Sequence, residues 1–406
     1  MIVKVLFTGV SVELIERVYR LNPALASSLK RIIWKYAEEI RRREGKDFKI
    51  KLMNFCGTHE WTTVHFGLRS LMPENVELVA GPGCPVCITP AYYVDQAIKL
   101  AFDGITVYTF GDAYRLPTVR PVKGARSLME AKGLGAEVKL VYSFLDAVEE
   151  AKRDCRTSVF FGIGFETTAP SYAMVFTGKG VPSNLLFLSI LRLTPPAAKY
   201  AVQAVEARGL SPIQGIIAPG HVSTITGAKP WDEVSRETGI PAVISGFEPI
   251  DLLMSVALLL KMIKNGEVGV RIEYLRAVSW EGNLEAQSAI RKVFYMADAP
   301  WRGIGFIPKS GLKLRQGYGK YDAFRQLGLK ELSPEEWKYD LPPECRCAEV
   351  TLGMCKPPDC PLFMKSCTPD KPWGPCMVSI EGTCAVWARF GGGGLADVVG
   401  KELGLV

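Results

Sequence analysis

Histidine is nearly missing from this chain: only His59, His65 and His221 occur among 406 residues. None of them falls in the C-terminal stretch where cysteines crowd, so a metal there would be held mainly by thiolates. Also missing are a Walker loop, a G-x-G-x-x-G turn and a Ser-His-Asp order, which leaves NTPase, dinucleotide and serine-hydrolase readings without support. Long apolar runs are lacking too. Met1–Val10 is too short to span a bilayer and carries no signal-peptide cleavage pattern, so it reads as a strand. Leu252–Ile263 is interrupted by Lys261 and reads as a core helix. These absences make a cytoplasmic protein with no membrane partner the expectation.

Charge excess is small as well, a net +7. Its most visible source, Lys30–Lys51 with Arg41-Arg42-Arg43, lies on an amphipathic helix whose apolar face is Leu29, Ile32, Ile33, Tyr36, Ala37 and Ile40. Glu38 and Glu39 precede Arg42 and Arg43 by four residues, the favourable order for helical ion pairs. A solvated helix face explains this run better than a nucleic-acid patch, since no aromatic-rich basic motif accompanies it.

What is plentiful is cysteine, eleven residues. An odd number in a large chain without a secretory signal argues for metal or redox chemistry rather than a disulfide scaffold. Cys56, Cys84, Cys87 and Cys155 are dispersed, whereas Cys345, Cys347, Cys355, Cys360, Cys367, Cys376 and Cys384 crowd into the end.

The chain between these groups repeats one grammar, a short apolar strand running into an unusual polar corner and then a helix. Phe48–Asn54 leads to Cys56-Gly57-Thr58-His59-Glu60, with Thr58 placed to cap the helix. Val76–Ala80 leads to Gly81-Pro82-Gly83-Cys84-Pro85-Val86-Cys87, followed by Thr89-Pro90 as cap and first helical residue. Ile105–Phe110 leads to Gly111-Asp112, Ser158–Ile163 to Gly164-Phe165-Glu166-Thr167-Thr168, Ile213–Ala218 to Pro219-Gly220-His221, and Ile240–Ser245 to Gly246-Phe247-Glu248. Alternating strands and helices predict an α/β protein with two Rossmann-like parallel-sheet domains facing a central cleft, plus a third domain carrying the cysteine cluster. The boundaries we expect are 1–45 (strand and amphipathic helix, packing with the C-terminal domain), 46–145, 146–268 and 269–406.

Cys345, Cys360, Cys367 and Cys384 are spaced C-x14-C-x6-C-x16-C. No close zinc knuckle is present, so an iron–sulfur cluster outranks zinc, with unligated thiols a third reading. Spacing does not decide between Cys345 and Cys347 as the first ligand. Cys347 and Cys376 suit a redox-active pair beside the cluster. Cys84/Cys87 reads as a dithiol/disulfide couple, as a soft-metal pair completed by Cys56 and His59, or as two inert buried thiols. A thiol at the Cys56 corner feels the positive end of a helix. His65 reads as structural. Glu166 and Glu248 are either helix N-terminal charges or cleft carboxylates, and His221 is expected on the crest opposite Cys56.

The Cys56–Glu60, Gly81–Cys87, Gly164–Pro170 and Pro219–Ser223 motifs, the C-terminal cysteine spacing and Cys376–Cys384 together resemble the HypD family of hydrogenase maturation factors. The resemblance spans roughly residues 19–390; Trp61 and Ile380 depart from it, and Cys155 and Cys355 find no role in it. It implies a scaffold for the Fe(CN)2CO unit of [NiFe]-hydrogenases that works with HypC and HypE, the latter supplied through HypF, as a monomer within a maturation complex. It implies that Cys345, Cys360, Cys367 and Cys384 ligate a [4Fe-4S] cluster, with Cys347 and Cys376 as a neighbouring disulfide pair. Cys84 and Cys87 would then be cleft thiols, Cys56 and His59 iron-site residues, and Glu381 a functional carboxylate near the cleft. Whether such a scaffold turns over as an enzyme stays open.

Overall fold

The computed structural model describes residue 13 and residues 16–391, except 179, 338 and 339. The expected strand at Met1–Val10 lies outside the described residues.

Among the described residues, eleven strands form two sheets. The first sheet is five-stranded and wholly parallel. In spatial order it runs β2 (Val76–Ala80), β1 (Ile50–Asn54), β7 (Ile213–Pro219), β8 (Ala242–Ser245) and β9 (Val270–Ile272). The second is six-stranded: β10 (Phe294–Trp301), β11 (Gly305–Leu314), β6 (Leu185–Arg192), β5 (Ser158–Gly164), β3 (Thr106–Thr109) and β4 (Val138–Leu140). Its β4-β3-β5-β6 part is parallel, and the β10–β11 hairpin joins antiparallel at the edge. The fold class is therefore α/β with two Rossmann-like parallel sheets.

The domain boundaries are different from those the sequence suggests. Each sheet draws strands from both sides of residue 145: the first takes residues 50–80 and 213–272, the second 106–192 and 294–314. The region after residue 268 is likewise not one cluster domain, because it also supplies β9 and the β10–β11 hairpin. The reason is physical: strands buried on both faces are continuous apolar runs, which say that a strand exists but not which strand it joins.

The first helix, Pro23–Glu44, starts as its sequence prescribes, with the Asn22 side chain accepting from Leu25 N at 3.0 Å and proline at its first position. Leu29, Ile33, Ala37 and Ile40 form its buried stripe. That stripe packs on the helix Pro249–Asn265 and strands of the first sheet, not on the C-terminal segment. Burial against this leucine-rich helix removes more apolar surface from water than the cysteine-rich coil offers. Arg42 pairs with Glu38 at 3.2 Å as the helical spacing requires. Arg43 instead donates to the last carbonyls of the neighbouring helix, Lys264 O at 2.7 Å and Ile263 O at 3.3 Å. Leu252–Ile263 is indeed a core helix, capped by Glu248 and ended by Gly266 at φ +66°.

Ile33→Ala should cost about 2–5 kcal/mol in denaturant unfolding, because the side chain is wholly buried, whereas Ile32→Ala on the exposed shoulder should cost under about 0.5 kcal/mol.

Candidate functional site

In the first sheet the chain leaves β1 toward β2 on one side and later runs β7, β8, β9 on the other. The junction between β1 and β7 is thus a topological switch point, where the connections diverge and leave a crevice at the carboxyl ends. Asn54, last in β1, pairs with Ala80 of β2 and Ile217 of β7. The corners that follow these three strands therefore lie side by side: Cys56 in the middle, the Cys84/Cys87 loop on one flank and His221 on the other. His221 is not on the opposing crest. It sits next to Cys56, with Nδ1 3.7 Å from Sγ.

The Cys84/Cys87 loop is laid directly on the Cys56 corner. Gly81 N donates to Asn54 O at 2.6 Å and Gly57 N to Gly83 O at 3.3 Å. A Cβ on Gly83 would fall 2.4 Å from Cys56 N and 2.5 Å from Phe55 C, both backbone atoms that cannot yield. Only glycine permits this approach. Cys84 and Cys87 form a disulfide with Cα atoms 5.3 Å apart, and Cys87 N also donates to Cys84 Sγ.

Cys56 caps the helix Gly57–His65 through its backbone; Thr58 lies inside that helix. Instead of capping, Thr58 Oγ1 donates to Glu381 Oε1 at 3.3 Å. Burial pushes the Cys56 thiol up to about 12, and the nearby Glu381 carboxylate pushes in the same direction. The expected helix-end activation of this thiol is thus outweighed by desolvation. Burial raises Glu381 too, with Asp112 adding repulsion. Asp112 reaches this place from the second sheet, as its Oδ2 accepts from Ile380 N at 3.3 Å. His59 is completely buried, packed on Phe247, and neither ring nitrogen has a hydrogen-bond partner. Burial and the neighbouring His221 lower it to about 3; burial alone lowers His221 to about 4. Both rings are neutral at physiological pH, the form in which imidazole offers a lone pair to a metal. Cys56, Cys84, Cys87 and Glu381 line one narrow cavity together with Asn54, Gly57 and Glu60.

The C-terminal thiols are gathered around Gly374. A Cβ there would meet Cys345 Sγ at 2.7 Å and Cys347 Sγ at 2.8 Å, while Gly374 N and Trp373 N donate to Cys367 Sγ at 3.4 and 3.3 Å. Cys376 shares hydrogen bonds with Cys347 and Cys384, which bring its thiol down to about 6. Cys345 is held up by its bond to Cys347 and by burial. Cys360 Sγ lies 3.9 Å from Glu344 O. All nine cysteines from Cys84 and Cys87 to Cys384, apart from exposed Cys155 but counting half-buried Cys345 and Cys355, border one apolar core. Among the described residues, no three His, Cys, Asp or Glu side chains stand in a ready metal cage. What exists is a donor set: many soft thiols in one buried place, with backbone N–H groups already aimed at a sulfur. That chemistry suits a thiolate-held cluster. The two thiol groups meet at Gly382, where a Cβ would lie 3.1 Å from Cys87 Sγ and would overlap Cys376 O.

One buried network was invisible in the sequence. Glu60 accepts from Arg69 Nη2 through both oxygens at 2.9 and 2.8 Å, from Asn54 Nδ2 at 3.1 Å and from Trp387 Nε1 at 2.7 Å. The carboxylates weighed as cleft groups turn out to cap helices: Glu166 accepts from Thr194 N and Oγ1, and Glu248 caps Pro249–Asn265. His65 is exposed and stacks on Trp61.

A family model named HypD, described as the hydrogenase formation hypA family, matches residues 31–391. Hydrogenase maturation factor HypD2 of Bradyrhizobium diazoefficiens is 39% identical over 369 residues, covering 89% of this chain and 95% of its own length. HypD of Cupriavidus necator is 37% identical over 362 residues, covering 87% and 93%. HypD of Rhodobacter capsulatus is 37% identical over 383 residues, covering 93% and 98%.

Gly83→Ala should cost about 1–3 kcal/mol in denaturant unfolding, as the added methyl drives the loop off the Cys56 backbone. Burial pushes the Glu166 carboxyl up to about 7 from an ordinary 4.5. Its contribution is therefore whole below pH 4.5 and lost as pH rises through about 7. Unfolding titrations between pH 5 and 8 should find the wild type losing on the order of 1–3 kcal/mol relative to Glu166→Gln.

Proposed function

The chain belongs to the HypD family of hydrogenase maturation factors, and from that premise we propose that its switch-point crest holds the Fe(CN)2CO unit during assembly. The unit is cargo here, received with the help of HypE and shared with HypC, and HypF stands upstream as the cyanide source. The observation that carries this reading is the juxtaposition of Cys56 with neutral His221 and the Cys84–Cys87 disulfide at one crevice. Low-spin iron with CN and CO ligands favours soft donors, and a crest of thiols without a closed cage leaves positions open for hand-over. Cys56 stays protonated while the crest is empty, because burial and Glu381 oppose its thiolate. An arriving cation reverses that balance and displaces the proton. His59, Cys84 and Cys87 are the further donors within the same crest, and Glu381 closes it from the C-terminal side.

Cys345, Cys360, Cys367 and Cys384 would hold a [4Fe-4S] cluster, with Cys347 and Cys376 as the thiol pair beside it. When bound, such a cluster supplies electrons one at a time. Opening the Cys84–Cys87 disulfide takes two electrons and two protons and yields two thiols beside Cys56. Cys347 and Cys376 can deliver both by exchange: the Cys376 thiolate attacks Cys87, forming a Cys376–Cys87 bond as the Cys84–Cys87 bond breaks. Cys347 then attacks Cys376, that mixed bond breaks, a Cys347–Cys376 bond forms, and the two protons end on Cys84 and Cys87. The lowered thiol of Cys376 favours it as the attacking group, and its backbone carbonyl packs on Gly382, the residue that also borders Cys87 Sγ. We place the protein in the cytoplasm, acting as a monomer within a maturation complex; among the described residues no helix is long and apolar enough to cross a membrane.

A second reading is favoured by the disulfide itself: an iron–sulfur-dependent reductase of a partner's disulfide that uses the same exchange. Anaerobic purification with iron, sulfide and infrared analysis separates the two. Cyanide and carbonyl bands that vanish in Cys56→Ala, while iron and sulfide persist there and disappear in Cys384→Ala, are the expected result. A wild type free of such bands after co-expression with its partners, but turning over a dithiol substrate, would replace the scaffold reading with the second. A colourless, zinc-loaded protein would refute both.

A further inference from the structure

The turn Trp301-Arg302-Gly303 lies where three parts of the chain meet. Arg302 N donates to Ile88 O at 2.8 Å, one residue beyond Cys87. Arg302 Nε donates to the carbonyl of Asp340 at 2.9 Å. Gly303, at φ +70°, has no room for a Cβ, which would fall 2.6 Å from Leu341 and 2.9 Å from Ala348. The turn is therefore pressed onto the start of the helix Cys347–Thr351.

The side chain of Arg302 is placed against ordinary expectation. It is only 2% exposed, yet Nη1 and Nη2 have no hydrogen-bond partner. The carboxylate of Asp340 is already occupied: Oδ1 accepts from Ala91 N at 2.8 Å, and Oδ2 from Gly303 N and Trp337 Nε1, both at 3.0 Å. A buried guanidinium that is not hydrogen-bonded to a carboxylate is costly, so some other negative charge must justify it. Besides Asp340, the groups in electrostatic range are Cys347, Cys345 and, weakest, Asp95. Two of these four are cysteines of the cluster region. Neutral thiols would not compensate a cation; thiolates would.

We propose that Arg302 is the buried counter-charge of the cysteine centre, a positioning residue that stabilises negative charge on Cys345 and Cys347 and so sets how readily the centre accepts an electron. The inference rests on the iron–sulfur reading above. Adding an electron makes a thiolate-bound cluster more negative, and a fixed cation nearby favours that state. Because the same residue's backbone holds the loop after Cys87, the charge that biases the centre and the contact that seats the cleft disulfide belong to one turn.

The test compares full-length wild type, Arg302→Lys and Arg302→Gln, purified anaerobically, by iron and sulfide content and by spectroscopically monitored redox titration. Arg302→Gln should shift the reduction equilibrium at least tenfold toward the oxidised form, about 59 mV downward for a one-electron step. Arg302→Lys, which keeps the charge, should stay near the wild type. Unchanged potential in Arg302→Gln with full iron and sulfide content would overturn the assignment and leave the cluster reading standing. A wild type lacking iron and sulfide would overturn both. Should Arg302→Gln fail to hold a cluster, iodoacetamide labelling of Cys345 and Cys347 in cluster-stripped proteins, read by mass spectrometry, decides: several-fold slower labelling than in wild type supports the counter-charge, and equal rates refute it.

Discussion

The crest depends on one buried carboxylate, that of Glu60. It gathers Asn54 at the end of β1, Arg69, and Trp387 on the helix Thr383–Phe390, which also carries Cys384. Arg69 also donates through Nε to Leu78 O of β2. A single charge therefore ties two adjacent strands of the first sheet to the far end of the chain. Removing one partner of such a buried pair typically costs about 3–5 kcal/mol, since the other charge is left uncompensated. Replacing the whole network by apolar groups would cost less. The polar version gives direction: strand, helix and C-terminal segment fill the oxygens of Glu60 together only in this arrangement.

That clamp explains how a segment with little apolar periodicity becomes part of a buried site. Trp387 and Val386 pack against the Cys56 helix at Val64, and the Glu381 backbone sits where a Cβ on Gly57 would otherwise be. Two glycines, Gly57 and Gly83, let three backbones come together at one corner. The thiols are carried to each other by main-chain contacts rather than by long side chains. Such a site is stiff, and its donors keep their places whether or not they hold a proton.

Much of this was legible in the sequence, and the boundary of legibility is itself physical. Strand-to-corner-to-helix units were readable because apolar runs, glycine turns and helix starts are local. The core helix Pro249–Asn265 was readable for the same reason, with its proline at the start and glycine at the end. Sheet membership was not: β1 pairs with β7 across about 160 intervening residues, and nothing in either apolar run names the other. The corner at His221 is therefore legible, but the crest it belongs to is not. β6, Leu185–Arg192, and the β10–β11 hairpin are not legible in the sequence for want of a polar corner after them. Glu60, Arg69, Trp387 and Arg302 carry no mark of their roles in the sequence, because a buried charge and its partners look like surface residues until they are brought together. The cysteines were legible by count and crowding; that Cys347 and Cys376 touch Cys384 as well as each other is a matter of three dimensions.

The crossing of the chain between sheets has a consequence for synthesis on the ribosome. The amino-terminal part emerges first, and β1 and β2 can pair as soon as residue 80 is free. β1 then presents an unpaired edge until β7 arrives, while the intervening chain builds most of the other sheet. A nascent chain shorter than residue 213 has Cys56, Cys84 and Cys87 but no strand to carry His221 beside them. The crest thus comes into being late, once β7 and then the C-terminal segment join the amino-terminal corners. Metal met earlier by the growing polypeptide finds loose thiols and no crevice.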